Sequence, residues 1–548
     1  MCRSASARRS NLTDGGKVVP GGSAATLAAG RNRRRRRSGG RSFNATFLIC
    51  CLGSLMTSSA FATPQQPTSF GPQNPPYVAS QPIAIIGGTL IDATGASPRT
   101  GHTVVIENGR IKEVGPSASI SIPANAQRFD ASGMTVMPGL IASNQHIQLN
   151  PLHPAPVTDL PFAELVDRWE ANFAEMPRKA YIYLMQGVTT MRQTSGPRKR
   201  ILPVKKKIDA GEIPGPRIML GGALIKSPQA FDADIKRNQT PADAVDWLRN
   251  EFAWFVVDDI EQDLDALAGE DYNFWKISFS REPFDGKNDF TDAEVRRIIE
   301  KAREAGKKVD IHANSSPEGY ARLLKFDFDT LEHPFTTDFI QDEQTIAGFA
   351  RKGIIIDTLL RVRVAGAEYA SDPNRFAESS FIMSMAPEEY RLLMRYRDKM
   401  LFNLRNPSQR GLSIYDKRST NLDAFGMSGP SYDDQQKGRE IARENMRRFI
   451  NANVKFSMGT DAPTFLNFLQ DDPNATELAY MVELGMSPMD AIIAGTRNGA
   501  EALGMLEDLG TIEKGKIADV IVVAGDPLKS MQAMKRVAVV IKDGVRYK

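Results

Sequence analysis

The segment VMPGLIASNQHIQLNP, Val136 to Pro151, carries an apolar run into Asn144-Gln145-His146. Side chains two apart on a strand share a face, so positions 144 and 146 look the same way. A histidine at both would make a metal-binding pair. Here the first is asparagine, whose neutral amide oxygen is a poorer Zn2+ ligand than imidazole. Four further residues put a polar group where a strand is expected to end: Lys276 in YNFWKISFS, His312 in VDIHANS, His333 in DTLEHP and Asp461 in SMGTDAP. Taken singly, each has a plain reading, such as a hydrogen-bonded structural histidine or an aspartate at a turn. Lys276 is the least ordinary. It alternates with Phe274 and Ser278 in an aromatic strand, where a charged ammonium is costly unless paired or neutralised. Addition of CO2 to the neutral amine would give a carbamate, an anionic ligand able to bridge two metals. An ion-paired or snorkelling lysine is the plain alternative.

Residues so distant in sequence need a fold that gathers strand ends. The chain alternates helix-like and strand-like segments over its middle. TDAEVRRIIEKAREAGKKVDIHANS predicts a helix from Thr291 to about Glu304, stopped by Gly306, then a strand over Val309–His312. ENMRRFINANVKFSMGTDAP repeats that order and ends at Asp461, and VDWLRNEFAWFVV follows a Thr240-Pro241 helix start. Such alternation argues for α/β architecture, and a (β/α)8 TIM-like barrel is its economical form. In that barrel the C-terminal strand ends share one mouth, so Asn144, His146, Lys276, His312, His333 and Asp461 become neighbours. Both ends of the body read as β-rich, with hairpin turns at Asn108-Gly109 and Asp543-Gly544. The expected organisation is a leader over 1–62, a Pro- and Gln-rich linker over 63–80 and a first β-sandwich part over 81–135. A barrel over 136–505 follows, with a helical insertion at about 380–445, and a second sandwich part over 506–548.

Composition narrows the function. With 41% hydrophobic and 24% charged residues, the 548-residue chain fits an ordinary globular protein. Its first 62 residues do not. An Arg-rich stretch, the apolar run FLICCLGSLM and an Ala60-Phe61-Ala62 pattern read as a secretory signal cut after Ala62. An exported protein, periplasmic or secreted, is therefore expected. Eleven basic residues and one acid lie in that leader, so its removal turns a formal +4 into −6. The acidic body argues against nucleic-acid binding. All three cysteines, Cys2, Cys50 and Cys51, leave with it, so a metal site in the body must use His, Asp, Glu or Lys. The histidines are His102, His146, His153, His312 and His333.

From about Ile83 to Lys548 the sequence resembles the amidohydrolase superfamily, in particular its imidazolonepropionase-like and prolidase-like branch. The stretches that carry the resemblance are PGLIASNQH, GVTTMR, FWKIS, VDIHANS, DTLEHP, SMGTDAP and LGTIEKGKIADVIVVAGDPL. The resemblance implies a barrel beside a small β-sandwich built from both ends, and a binuclear centre, Zn2+ by ligand type. His146 and Asp461 would bind one metal, His312 and His333 the other, and a carboxylated Lys276 would bridge them, with Asp461 also shuttling protons. Asn144 stands where the first histidine is expected, Ala142 where the pattern usually has Asp, and Gln193 where this branch tends to have Asp. Asn144 and Arg192 remain candidates for metal or substrate contact. The implied activity is metal-dependent hydrolysis of a C–N bond in an amide, peptide or cyclic amide, on a small-molecule or short-peptide substrate. Asn144 would weaken the first metal position. The alternative is an impaired or non-enzymatic binding relative. No stable membrane span is expected, and homo-oligomerisation is left open.

Overall fold

A computed structural model describes residues 81–149, 162–237, 242–250, 254–280, 289–314, 316–334, 339–362, 432–463 and 468–548, with 385 and 390 singly. The expected leader and linker, the Thr240-Pro241 helix start, His153 and most of the expected insertion up to residue 431 lie outside them. The last part of that insertion belongs to the helix Tyr432–Asn451.

Eight strands form a parallel ring: β1 (Leu140–Gln145), β2 (Val188–Gln193), β3 (Arg217–Lys226), β4 (Phe274–Ser280), β5 (Lys308–Asn314), β6 (Thr330–Glu332), β7 (Ile355–Asp357) and β8 (Phe456–Ser457). Each pairs in parallel with the next. Backbone hydrogen bonds close the ring between β8 and β1. Ser143 N–H donates to Met458 O (2.8 Å), Thr460 and Asp461 N–H donate to Asn144 O (3.0 and 3.1 Å), and His146 N–H donates to Ala462 O (2.9 Å). The protein is thus α/β and built on a TIM-like barrel, as its sequence predicts. A short strand, Trp254–Val256, pairs with the end of β3.

The helix before β5 shows how sequence sets this order. Thr291 caps it: its Oγ1 accepts from Glu294 N–H, while Glu294 Oε2 accepts from Thr291 N–H (2.7 Å), a capping box. Val295, Ile298, Ile299 and Ala302 recur at helical spacing and are buried. Gly306, at φ 68°, then turns the chain into β5.

Alternation along each strand decides what enters the barrel. Trp275, Ile277 and Phe279 of β4 and Val309, Ile311 and Ala313 of β5 join the apolar core. Lys276, Ser278, Asp310 and His312 lie on the other face. The register matches Lys276 with Asp310, Ser278 with His312, Asp310 with Thr330 and His312 with Glu332. The interior is therefore layered, with the His312 and Glu332 layer nearer the C-terminal mouth.

A second sheet takes strands from both ends of the chain: Ile83–Leu90, Arg99–Glu107, Arg110–Pro116, Gln127–Asp130 and Thr135–Pro138, with Val520–Val523, Val537–Lys542 and Val545–Arg546. Thr135–Pro138 joins the two groups, pairing with Ile83–Leu90 on one side and Val520–Val523 on the other. It leads through Gly139 into β1, which anchors the barrel's first strand to this sheet. The two expected hairpin turns are present, with both central residues left-handed at Asn108-Gly109 (φ 53° and 77°) and Asp543-Gly544 (φ 51° and 72°). The turns pack against each other so closely that a Cβ on Gly544 would stand 2.6 Å from Gly109 Cα. Among the described residues no helix is long and apolar enough to cross a membrane.

Candidate active site

Two groups of polar side chains face each other across the mouth. The first comes from β5 and β6. His312, Glu332 and His333 each offer a ligand atom, and these atoms lie within 4.8 Å of one another. Adjacent strand residues should point to opposite faces, yet Glu332 and His333 serve the same cluster. His333 leaves the strand in the left-handed conformation, φ 57°, and its ring comes within 4.3 Å of that of His312, centroid to centroid. Asp461 (φ 56°), after β8, and Leu359 (φ 48°), after β7, share this conformation. Such non-glycine positions each cost on the order of 1–3 kcal/mol and tend to cluster at functional sites.

The second group comes from β8, β1 and the end of β2. Asp461 Oδ1 lies 2.7 Å from His146 Nε2. Asn144 is fully buried; its Oδ1 accepts from Thr194 Oγ1 (3.0 Å), which also lies 3.4 Å from His146 Nε2. Asn144 Nδ2 is buried without a hydrogen-bond partner among the described residues. Burial by itself would raise the Asp461 pKa, but the hydrogen bond from His146, with the charges of His333 and Lys276, brings it below the ordinary carboxylate value. Asp461 and His312 keep 16% and 20% side-chain exposure, so they are the members of the two groups that reach furthest toward solvent.

Beneath lies a charged layer. Arg192 Nη1 donates to Asp310 Oδ1 (2.8 Å) and Thr330 Oγ1 (3.4 Å). Its Nη2 lies 3.5 Å from Glu332 Oε1 and from Asp357 Oδ2, and its Nε donates to Ser143 O. Lys276 Nζ forms an ion pair with Glu332 Oε2, the ion-paired alternative raised by its sequence setting. Arg192 and Lys276 thus carry two positive charges against Asp310, Glu332 and Asp357. The imbalance shows in the acids. Burial, with repulsion from neighbouring carboxylates, pushes Asp310 up to about 7 and Asp357 up to about 8 despite Arg192.

The fold therefore brings together His146 with Asp461 and Asn144, and His312 with His333 and Lys276. Arg192 lies in the layer below and touches the upper group through Glu332. His102 sits on the second sheet, its Nδ1 3.0 Å from Thr100 O, away from these clusters. Ala142 is part of the apolar core. Sequence reasoning missed Glu332, Thr194 and Gln148, and singled out Gln193 only as a departure from the Asp usual in this branch. Glu332 was hidden, because strand alternation sends it and the singled-out His333 to opposite faces. Thr194 and Gln148 carry no signal of type or spacing.

Two imidazoles and a carboxylate converging on one point are a donor set that suits a catalytic divalent zinc. The His146 side fits less well, since its donors are hydrogen-bonded to one another. Comparison with known proteins bears on the same question. The family pattern described as the amidohydrolase family matches residues 135–546. The imidazolonepropionase of Geobacillus kaustophilus (strain HTA426) is 23% identical over 453 residues, spanning 77% of this chain and 83% of that protein. Among solved structures, a Xaa-Pro dipeptidase with bound methionine in its active site has a TM-score of 0.61 at 22% identity, covering 85% of this chain and 100% of the other. Molinate hydrolase has a TM-score of 0.64 at 24% identity, covering 86% of this chain and 95% of the other. These two structural likenesses speak for the shared fold.

Proposed function

Because the chain belongs to the amidohydrolase family, we propose that it is an exported metal-dependent hydrolase cleaving a C–N bond in a small amide, cyclic amide or short peptide. The observation that carries this reading is the convergence of His312, Glu332 and His333 at the barrel mouth, facing an ionised Asp461. A divalent ion held by those three residues, Zn2+ by their chemistry, would lower the pKa of a bound water and polarise a carbonyl.

The chain's own residues supply the rest. Asp461, held ionised beside His146, takes a proton from the attacking water and delivers it to the departing nitrogen. The carbonyl carbon gains a C–O bond, the C–N bond breaks, and the amine leaves neutral. Asn144 weakens the first metal position, because an amide replaces an imidazole there and its Oδ1 already accepts from Thr194. Lys276 is the candidate for carboxylation. The change would turn one of two local cations into an anion beside Glu332, so it is favoured only with metal bound. Export is supported by the Arg-rich stretch, the apolar run and the Ala60-Phe61-Ala62 pattern of the first 62 residues. The second reading, a binding relative without turnover, is favoured by the internal hydrogen bonding of the Asn144–His146–Asp461 side.

The test uses the chain from Thr63, purified without chelator and with bicarbonate. Metal per chain is measured by elemental mass spectrometry, and hydrolysis is measured on acyl-amino acids and dipeptides. Bound metal with turnover that disappears in His312→Ala is expected. No metal even after Zn2+ addition, with no turnover, would make the barrel a binding scaffold.

A further inference from the structure

The hydrogen bonds behind His146 have a fixed polarity. Ile147 N–H can only donate, and it donates to Gln193 Oε1 (2.9 Å). The two protons on Gln193 Nε2 are taken by Gln148 Oε1 (2.6 Å) and Ser195 O (2.5 Å). Gln148 is oriented in turn. Its Oε1 accepts, and its Nε2 donates to Ser195 O (3.0 Å) and faces His146 Nδ1 (3.3 Å). Gly196 leaves the room for this amide, since a Cβ there would stand 2.7 Å from Gln148 Nε2. Turning either amide over would set its oxygen against Ser195 O. It would also leave buried polar atoms unpaired, at about 1–3 kcal/mol each.

The consequence reaches the imidazole. Only an unprotonated Nδ1 can accept from Gln148. His146 is then neutral with its proton on Nε2, which lies 2.7 Å from Asp461 Oδ1. A ring nitrogen that carries a proton has no lone pair to give a metal. Metal-binding histidines ordinarily show the reverse, donating the other N–H to a carboxylate or carbonyl. Gln193 presents Nε2, not an acceptor, toward that nitrogen, at 3.4 Å.

We propose that His146 is not a metal ligand in this protein but a positioning residue, donating from Nε2 to aim the Asp461 carboxylate. The metal centre is then confined to the His312, Glu332 and His333 side. The ion count rests on the proposed hydrolase reading; the tautomer does not.

The test has two arms that separate those claims. In the first, histidine-15N-labelled protein is studied by long-range proton–nitrogen correlation before and after Zn2+ addition, with His146 assigned by its loss in His146→Gln. Nε2–H with unprotonated Nδ1 in both states is expected. A shift to Nδ1–H on Zn2+ addition overturns the proposal. If the protein takes up no ion, the hydrolase reading fails, and the tautomer found without Zn2+ still decides this one. In the second arm, His146→Gln and His146→Ala are assayed for metal per chain and for kcat. Both should hold as many ions as the parent, and His146→Gln, which keeps an N–H donor for Asp461, should retain more of kcat. Loss of an ion from either variant overturns the proposal. Gln193→Asp, which supplies an acceptor behind the ring, should switch His146 toward Nδ1–H; an unmoved tautomer would show that the glutamines do not set it.

Discussion

The two sides of the barrel mouth are built from the same residue types and are committed differently. On the β5–β6 side, His312, Glu332 and His333 converge on one point, with Lys276 behind the carboxylate. On the β8–β1 side, His146, Asp461, Asn144 and Thr194 hydrogen-bond to one another, and amides stand behind the ring. Imidazole and carboxylate are present on both sides, so the ligand list alone does not distinguish them. On the β8–β1 side the layer behind the ring is what commits it. A carboxylate or carbonyl behind a histidine leaves its far nitrogen open to a cation, whereas an amide donor there turns the same histidine into a hydrogen-bond donor.

The largest effect belongs to the converging side. His312→Ala and His333→Ala should each abolish both ion binding and turnover, read by elemental mass spectrometry and amide hydrolysis on the same preparations. Turnover surviving in both would remove the metal reading altogether. On the opposite side, Asp461→Asn should lower kcat by about 10²–10⁴-fold, the usual range for a lost proton carrier. The ion content should stay that of the parent. An ion lost together with the activity would make the two sides equivalent after all.

That contrast also marks what the sequence could convey. The barrel was legible because helix and strand periods alternate and because strand ends carry polar residues. The hairpins were legible because Asn108-Gly109 and Asp543-Gly544 name their own turn. The convergence of His312 with His333 followed from the fold resemblance. Glu332 escaped because it neighbours His333, and alternation alone would send the two apart; the left-handed backbone at His333 undoes that alternation. The roles of Gln148 and Gln193 escaped for a different reason. Their importance lies in which amide atom faces which backbone group, and no residue type or spacing encodes that.

The charged layer beneath both sides offers the next break. Arg192 is buried and faces Asp310, Glu332 and Asp357. Arg192→Met would leave those carboxylates with Lys276 as their counter-ion. Removing one partner of a buried ionic group typically costs about 3–5 kcal/mol, and a loss of that size is expected in urea unfolding. An unchanged midpoint would mean that Arg192 packs against these groups rather than neutralising them.

The smallest effect tests that last alternative directly. Asp357 is fully buried, accepts from Ser143 Oγ (2.7 Å) and lies 3.5 Å from Arg192 Nη2. Burial, with repulsion from Glu332 and Asp310, pushes its pKa up to about 8, against Arg192 and the Ser143 hydrogen bond. An unfolded aspartate titrates near ~3.9. Between roughly pH 4 and pH 8 the folded chain therefore holds a proton that the unfolded chain has released, and linkage makes stability fall as pH rises through that window. Asp357→Asn cannot ionise and has the shape of the protonated acid, so its stability should depend less steeply on pH. It should match the parent most closely near pH 5 and gain on it by up to roughly 3–4 kcal/mol toward pH 8, since each pH unit crossed below the folded pKa is worth about 1.4 kcal/mol. Urea unfolding of both proteins at pH 5, 6.5 and 8 reads the difference, with the ion removed by chelator. Parallel curves would mean that Asp357 is ionised throughout, and that Arg192 neutralises it more completely than the 3.5 Å separation suggests.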